Sequence, residues 1–188
     1  TAALTAVDAG GTVIVNAGTY AEAVTLTNNV TLEITGPDAA GTVVIDGLSS
    51  DAGTSVVIEG NSILTVGDAN DQTVAGLVEG SGSLVKQGSG QLTLSAANSY
   101  TGGTTLDAGT LRLEDSQGAG ALDSTVTLNG GLIQFAGGGN LETHRYDLQV
   151  NGDAELQTVV FRKKLQGDIT GSGTLTVNGP GLLLVGDM

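Results

Sequence analysis

Short runs in which apolar and polar residues alternate recur along the whole chain. The first are Thr12-Val13-Ile14-Val15, Val24-Thr25-Leu26 and Val30-Thr31-Leu32-Glu33-Ile34. Val43-Val44-Ile45, Ser55-Val56-Val57-Ile58 and Ile63-Leu64-Thr65-Val66 follow. Further on come Gln91-Leu92-Thr93-Leu94, Thr110-Leu111-Arg112-Leu113, Thr125-Val126-Thr127-Leu128 and Leu132-Ile133-Gln134-Phe135. The series closes with Asp147-Leu148-Gln149-Val150, Ala154-Glu155-Leu156, Val159-Val160-Phe161 and Leu175-Thr176-Val177. A side chain repeating every second residue marks a strand with one buried face. No Gly-free window carries the apolar i, i+3, i+4, i+7 series of a helix. Helix is therefore expected to be nearly absent, apart from a short turn within residues 1–7.

Gly, Asn and Asp separate the runs, and two architectures fit that punctuation. Hairpins would place tight turns such as Asn129-Gly130 and Asn151-Gly152 between antiparallel neighbours. A solenoid would place the same residues at the corners of successive coils. Internal similarity favours the solenoid. Gly80-Ser81-Gly82-Ser83-Leu84, followed by Gly88-Ser89-Gly90-Gln91-Leu92, aligns with Gly171-Ser172-Gly173-Thr174-Leu175, followed by Gly179-Pro180-Gly181-Leu182-Leu183. The offset is too long for one coil and must span several. Asn16-Ala17-Gly18-Thr19-Tyr20 likewise resembles Asp107-Ala108-Gly109-Thr110-Leu111.

Composition agrees. The 188 residues include 31 Gly, only 2 Pro and 3% aromatics, yet hydrophobic residues reach 39%. That aliphatic content separates the chain from Gly-rich disorder. A narrow interior favours Val, Ile, Leu and Ala over large rings, and corners need the backbone freedom of Gly and Asn. The expected fold is all-β: a single-stranded right-handed parallel β-helix of about 8–10 coils, at roughly 20 residues per coil. Residues 1–188 read as one continuous unit.

The residues from 80 to 113 resemble the autotransporter-associated, or passenger-associated, β-strand repeat of Gram-negative exoproteins. The likeness rests on Gly80, Gly82, Leu84, Gly88, Gly90 and Leu92, then on Asn98, Tyr100, Gly102, Thr104 and Gly109. Residues 167–188 look like the first half of a second copy, as if the chain were a truncated fragment. Residues 9–36 resemble the opening coil of right-handed β-helix proteins, polysaccharide lyases among them. These resemblances imply a right-handed solenoid, export, and a place outside the cell or on a bacterial cell surface.

Charge limits the partners. Twenty acidic residues against six Lys or Arg give a net charge of −14. Such a surface disfavours nucleic acid and anionic membranes. No apolar run is long enough for a membrane-spanning helix. There is no Cys, so disulfides and thiolate chemistry are excluded. Asp46, Asp51, Glu59, Asp68, Asp71 and Glu79 fall on successive coils, where a polysaccharide-cleaving β-helix would cluster its acids, and Asp68 to Asp71 could hold a cation. Without Lys or Arg among the first 85 residues, a lyase-type partner is missing there. These acids read as solvated corners. His144, the single histidine, lacks a nucleophile motif and reads as a surface-loop residue. Arg145, Arg162, Lys163 and Lys164 form a basic cluster. It is a candidate docking patch for an acidic neighbour, or a local balance for Glu142, Asp147, Asp153 and Glu155. Tyr20 and Tyr100 read as packing residues.

The expectation is a non-catalytic structural or adhesive segment without metal or cofactor. It would act as a stalk, by self-association or on a ligand of a host or neighbouring cell. The alternatives are a filament subunit stacking through open coil ends, and a polysaccharide lyase or hydrolase.

Overall fold

A computed structural model describes residues 8–35, 41–137, 141–159 and 162–186. The expected turn within residues 1–7 lies outside the described residues. Strands in the first half are β1 (Thr12–Val15), β2 (Gly18–Leu26), β3 (Thr31–Ile34), β4 (Thr42–Ser50), β5 (Ser55–Ile58) and β6 (Ile63–Val66). Next come β7 (Gln72–Val74), β8 (Leu77–Gly80), β9 (Ser83–Lys86), β10 (Gln91–Leu94), β11 (Thr104–Leu106) and β12 (Thr110–Leu113). The rest are β13 (Ser124–Leu128), β14 (Leu132–Phe135), β15 (Glu142–His144), β16 (Tyr146–Val150), β17 (Ala154–Thr158), β18 (Arg162–Leu165), β19 (Ile169–Gly171), β20 (Leu175–Asn178) and β21 (Leu182–Val185).

Every described strand pairing is parallel, and each strand pairs with one from the next coil. The step ranges from 19 residues, Leu92 to Leu111, to 25, Tyr20 to Ile45. Asn129-Gly130 and Asn151-Gly152 are therefore coil corners, where Asn129 Nδ2 donates to Asp107 and Asn151 Nδ2 to Asn129 Oδ1.

Three faces run the length of the stack. The first carries the opening half of β2 and of β4, then β6, β9, β11, β13, β16 and β19. The second carries the closing halves of β2 and β4, then β7, β10, β12, β14, β17 and β20. Both faces count eight strands, hence eight coils and a stack about 40 Å long. The third face is β1-β3-β5-β8 early and β15-β18-β21 late. Between them two coils cross this face without regular strands.

Alternation drives the packing. On β5 the pattern is half-buried Ser55, buried Val56, half-buried Val57, buried Ile58. Inward residues from all faces meet in one continuous aliphatic interior, including Leu32, Ile34, Val56, Ile58, Leu64, Val66 and Leu92. Each is worth about 1.5–3 kcal/mol relative to exposure. The stacked strands pair main chain to main chain, so register follows from which residues must point inward.

The two similar Gly-rich segments occupy different faces. Leu84 lies on β9 of the first face, while its counterpart Leu175 lies on β20 of the second. The shared pattern therefore marks a corner followed by a strand, and the corner can fall between any two faces.

Candidate functional site

The repeat residues between 80 and 109 build the coil where the third face loses its strands. Asn98 is buried, and its amide bridges two neighbouring coils. Its Oδ1 accepts from Val78 N–H at 2.8 Å, and its Nδ2 donates to Gly118 O at 2.7 Å. Tyr100 fills the interior, and its hydroxyl donates to Thr104 Oγ1 at 2.5 Å. Thr104 in turn donates to Ala119 O at 2.8 Å. Tyr146, two coils higher, reaches down and donates to Ser116 O at 2.5 Å and accepts from Ala119 N–H at 3.1 Å. Burial pushes both phenols above the usual range, so they stay neutral donors. Leu84 and Leu92 point into the core.

The glycines of the motif serve close approach. A Cβ on Gly82 would meet Ser62 O at 2.5 Å, and one on Gly102 would meet Gly82 O at 2.5 Å. Gly80, Gly88 and Gly109 have φ of 104°, 70° and 73°. Gly90 is also packed directly on the coil below, against Asn70. Every motif residue thus has a structural task in holding one coil on the next.

The basic cluster is divided by the alternation of β18. Arg162 is exposed and Lys164 half-buried, both facing outward. Lys163 is fully buried, contrary to its placement in a docking patch. Its ammonium pairs with Glu142 Oε2 at 2.5 Å and bonds to Gly137 O. It turns inward because Leu165, two residues on, must do so. Arg145 is exposed and paired with Asp123 at 2.8 Å. Lys163 and Arg145 therefore balance local acids, and only Arg162 and Lys164 keep outward cations available.

His144 is likewise an interior residue, not the surface-loop residue expected. It is inward on β15, with its ring stacked on Phe135 at a centroid distance of 4.2 Å. Neither ring nitrogen closes a hydrogen bond, and Glu142 Oε2 lies 3.6 Å from Nε2. Burial, reinforced by the nearby Lys163 charge, pushes His144 down to about 4. The Ser116 carbonyl, which accepts from Tyr146, and the Asp115 charge act the other way. The ring is neutral at physiological pH.

A second buried cation sits in the repeat itself. Lys86 is inward on β9, and its ammonium is ringed by Gln87 O at 2.5 Å, Gly88 O at 3.0 Å and Ala108 O at 3.4 Å. Desolvation lowers its affinity for a proton, while the Asp68 and Asp71 charges act the other way. The ammonium thus occupies the carbonyl cage at this corner. Asp68 takes its bonds from Asn70 N at 2.7 Å and Nδ2 at 2.6 Å, which hold its carboxyl below the usual range. Asp71 Oδ1 accepts from Gln91 N.

Asp46, Asp51, Glu59 and Asp71 are exposed at corners, while Asp68 and Glu79 are half-buried. Among the described residues no three His, Asp or Glu stand close enough to hold a metal ion. One open, polar surface depression is lined by Asp123, Arg145, Asp147, Gln166 and Asp168. Tyr20 is half-buried against the core and donates to Asn16 O at 2.9 Å, while Tyr100 is fully enclosed, so both pack coils.

Comparison with known proteins agrees with this geometry. The passenger-associated-transport-repeat family matches residues 84–113. The Adhesin BmaC autotransporter of Brucella suis biovar 1 (strain 1330) is 32% identical over 140 residues, which cover 74% of this chain. The match takes in only 4% of that adhesin's length. No solved structure matches the chain.

Proposed function

We propose that this autotransporter-passenger-like β-solenoid is a non-catalytic rod segment of a secreted or cell-surface bacterial protein. It carries adhesive elements away from the membrane or contributes a contact surface itself. The observation that supports this reading is the unbroken parallel stack. The buried Asn98, Thr104 and Lys86 of the repeat bond from one coil to the next, and the candidate acids are scattered over open corners. A polysaccharide-cleaving site needs a groove in which acids and a cation converge on one bond. Here the one described histidine and two of the six cations are walled inside. The adhesin relative supports the surface location.

Electron microscopy and small-angle scattering of the purified chain test the rod. An elongated particle about 40 Å along the stack is expected; a compact globule overturns the reading. Incubation with pectin, alginate and related polymers tests the absence of catalysis, with no release of sugar ends expected.

A further inference from the structure

The third face carries an outward column whose order is complementary to itself when reversed. Early in the stack the column runs Ile14, Glu33, Val57, Glu79. The main-chain bond from Ser99 N to Val78 O places exposed Ser99 next, beside Glu79. After the irregular coil at 117–121 it resumes as Thr143, Lys164, Leu184. The two parts lie on one line. Glu79 precedes inward Leu84 of the first face by five residues, Ser99 precedes Thr104 by five, and Lys164 precedes Ile169 by five.

Counted in coils from Ser99, Glu33 lies three below and Lys164 three above. Ile14, 59% exposed, lies four below, and Leu184 four above. A two-fold axis running along the strand direction at Ser99 would turn the column end for end against a second copy. Each Glu33 would then meet a partner Lys164, each Ile14 a partner Leu184, and each Val57 a partner Thr143. The charge pairs would stand about 14 Å on either side of the axis. Arg162, in the adjacent outward column of the same coil as Lys164, adds a second cation beside Glu33. Neither Glu33, Lys164 nor Arg162 has an ion-pair partner among the described residues.

We infer that this face is a self-recognition surface on which two copies lie antiparallel with these charges paired. The inference rests on the rod reading, since only a regular stack keeps the column straight. Facing sheets pack about 10 Å apart, and the strip is about 40 Å by 10 Å, or roughly 400 Å² on each partner. An area this small gives weak, salt-sensitive association. It gains strength when many copies are held at high local concentration. The complementarity selects the antiparallel arrangement, because parallel alignment would set Glu33 against Glu33 and Lys164 against Lys164.

Sedimentation velocity of the full chain, over a concentration series at low and at high salt, tests this. The wild type is expected to dimerise reversibly at low salt. Lys164→Glu and Glu33→Lys, each outward and neutral to the core, should weaken the dimer at least tenfold. The combined Glu33→Lys/Lys164→Glu chain should dimerise again but not pair with wild type in the same way. A chain that stays monomeric at every concentration, single variants that dimerise as wild type does, or a double variant without recovery would overturn the proposal. Scattering from the dilute Lys164→Glu chain separates this from the rod reading. An elongated monomer leaves the rod intact when self-recognition fails, whereas a globule defeats both.

Discussion

The early coils and the later ones close the same tube by different means. Through β8 the third face is a regular strand ladder, and the interior behind it is Leu32, Ile34, Val56, Ile58 and Val78. From Asn98 to Lys163 the ladder lapses for two coils and resumes with a polar interior. Asn98, Tyr100, Thr104, Tyr146, His144 and the Glu142–Lys163 pair stand where aliphatics stood before. Where the main chain cannot reach its neighbour, a side-chain amide or phenol takes the bond. The lesson is that a coil needs a satisfied connection to the next coil more than it needs a strand. The cost is that buried polar groups depend on specific partners, so the later coils should be the more sensitive to chemistry and pH.

Removing Glu142 should widen that difference most. Glu142→Ala strands the Lys163 charge in the interior, and a loss of about 3–5 kcal/mol is expected by urea unfolding. Glu142→Leu combined with Lys163→Met should recover most of it, because the pair is then replaced by apolar contacts. No such rescue would mean that the charges are not coupled.

Acidification should act on the same coils. His144 binds a proton at about 4 in the folded state and near 6.5 once unfolded. The unfolded chain therefore takes up more protons between those values. The contribution of His144 is complete above pH 6.5, declines as pH falls, and is gone below about 4, a span on the order of 3 kcal/mol. Phenylalanine at 144 should flatten unfolding free energy between pH 6.5 and 5, above most carboxylate titration. A curve identical to wild type would remove His144 from the account.

Asn98→Ala leaves Val78 N–H and Gly118 O without their partners and should cost about 2 kcal/mol. In the early coils Leu64→Ala should cost a similar 2–5 kcal/mol, but through a cavity. Hydrogen exchange distinguishes them: Asn98→Ala should raise exchange at Val78 far more than at Val56, and Leu64→Ala the reverse. The smallest effect is expected at Arg145→Ala. Its pair with Asp123 lies at the surface, and a thermal melt should register less than about 1 kcal/mol.

Much of the strand pattern was legible in the chain. The alternation at Thr12, Ser55, Ile63, Gln91, Thr110 and Leu132 gives six strands with the observed ends. Val159-Val160-Phe161 has the pattern of a strand, but Val159 lies in no strand, Val160 and Phe161 lie outside the described residues, and β18 starts at Arg162. Polar content hid that strand. The phase of the alternation carried the missing information. Leu165 inward implies Lys163 inward, and Leu84 inward implies Lys86 inward. Reading charge as exposure overrode that phase. The repeat residues were found from their spacing, but their tasks were not, because Asn98 bonds to Val78 and Gly118, each twenty residues away.

By itself the sequence determined a β-rich stack with a slim aliphatic interior, since period-2 alternation and glycine corners leave the backbone little else to do. It also fixed the absence of thiol chemistry and the acidic exterior. Only the tertiary structure decided which face each run joins, because corners of similar sequence fall between different faces. It alone decided which charges are enclosed and which line up from coil to coil. Those outcomes depend on the register between strands 19 to 25 residues apart, and a local pattern carries no term for that alignment.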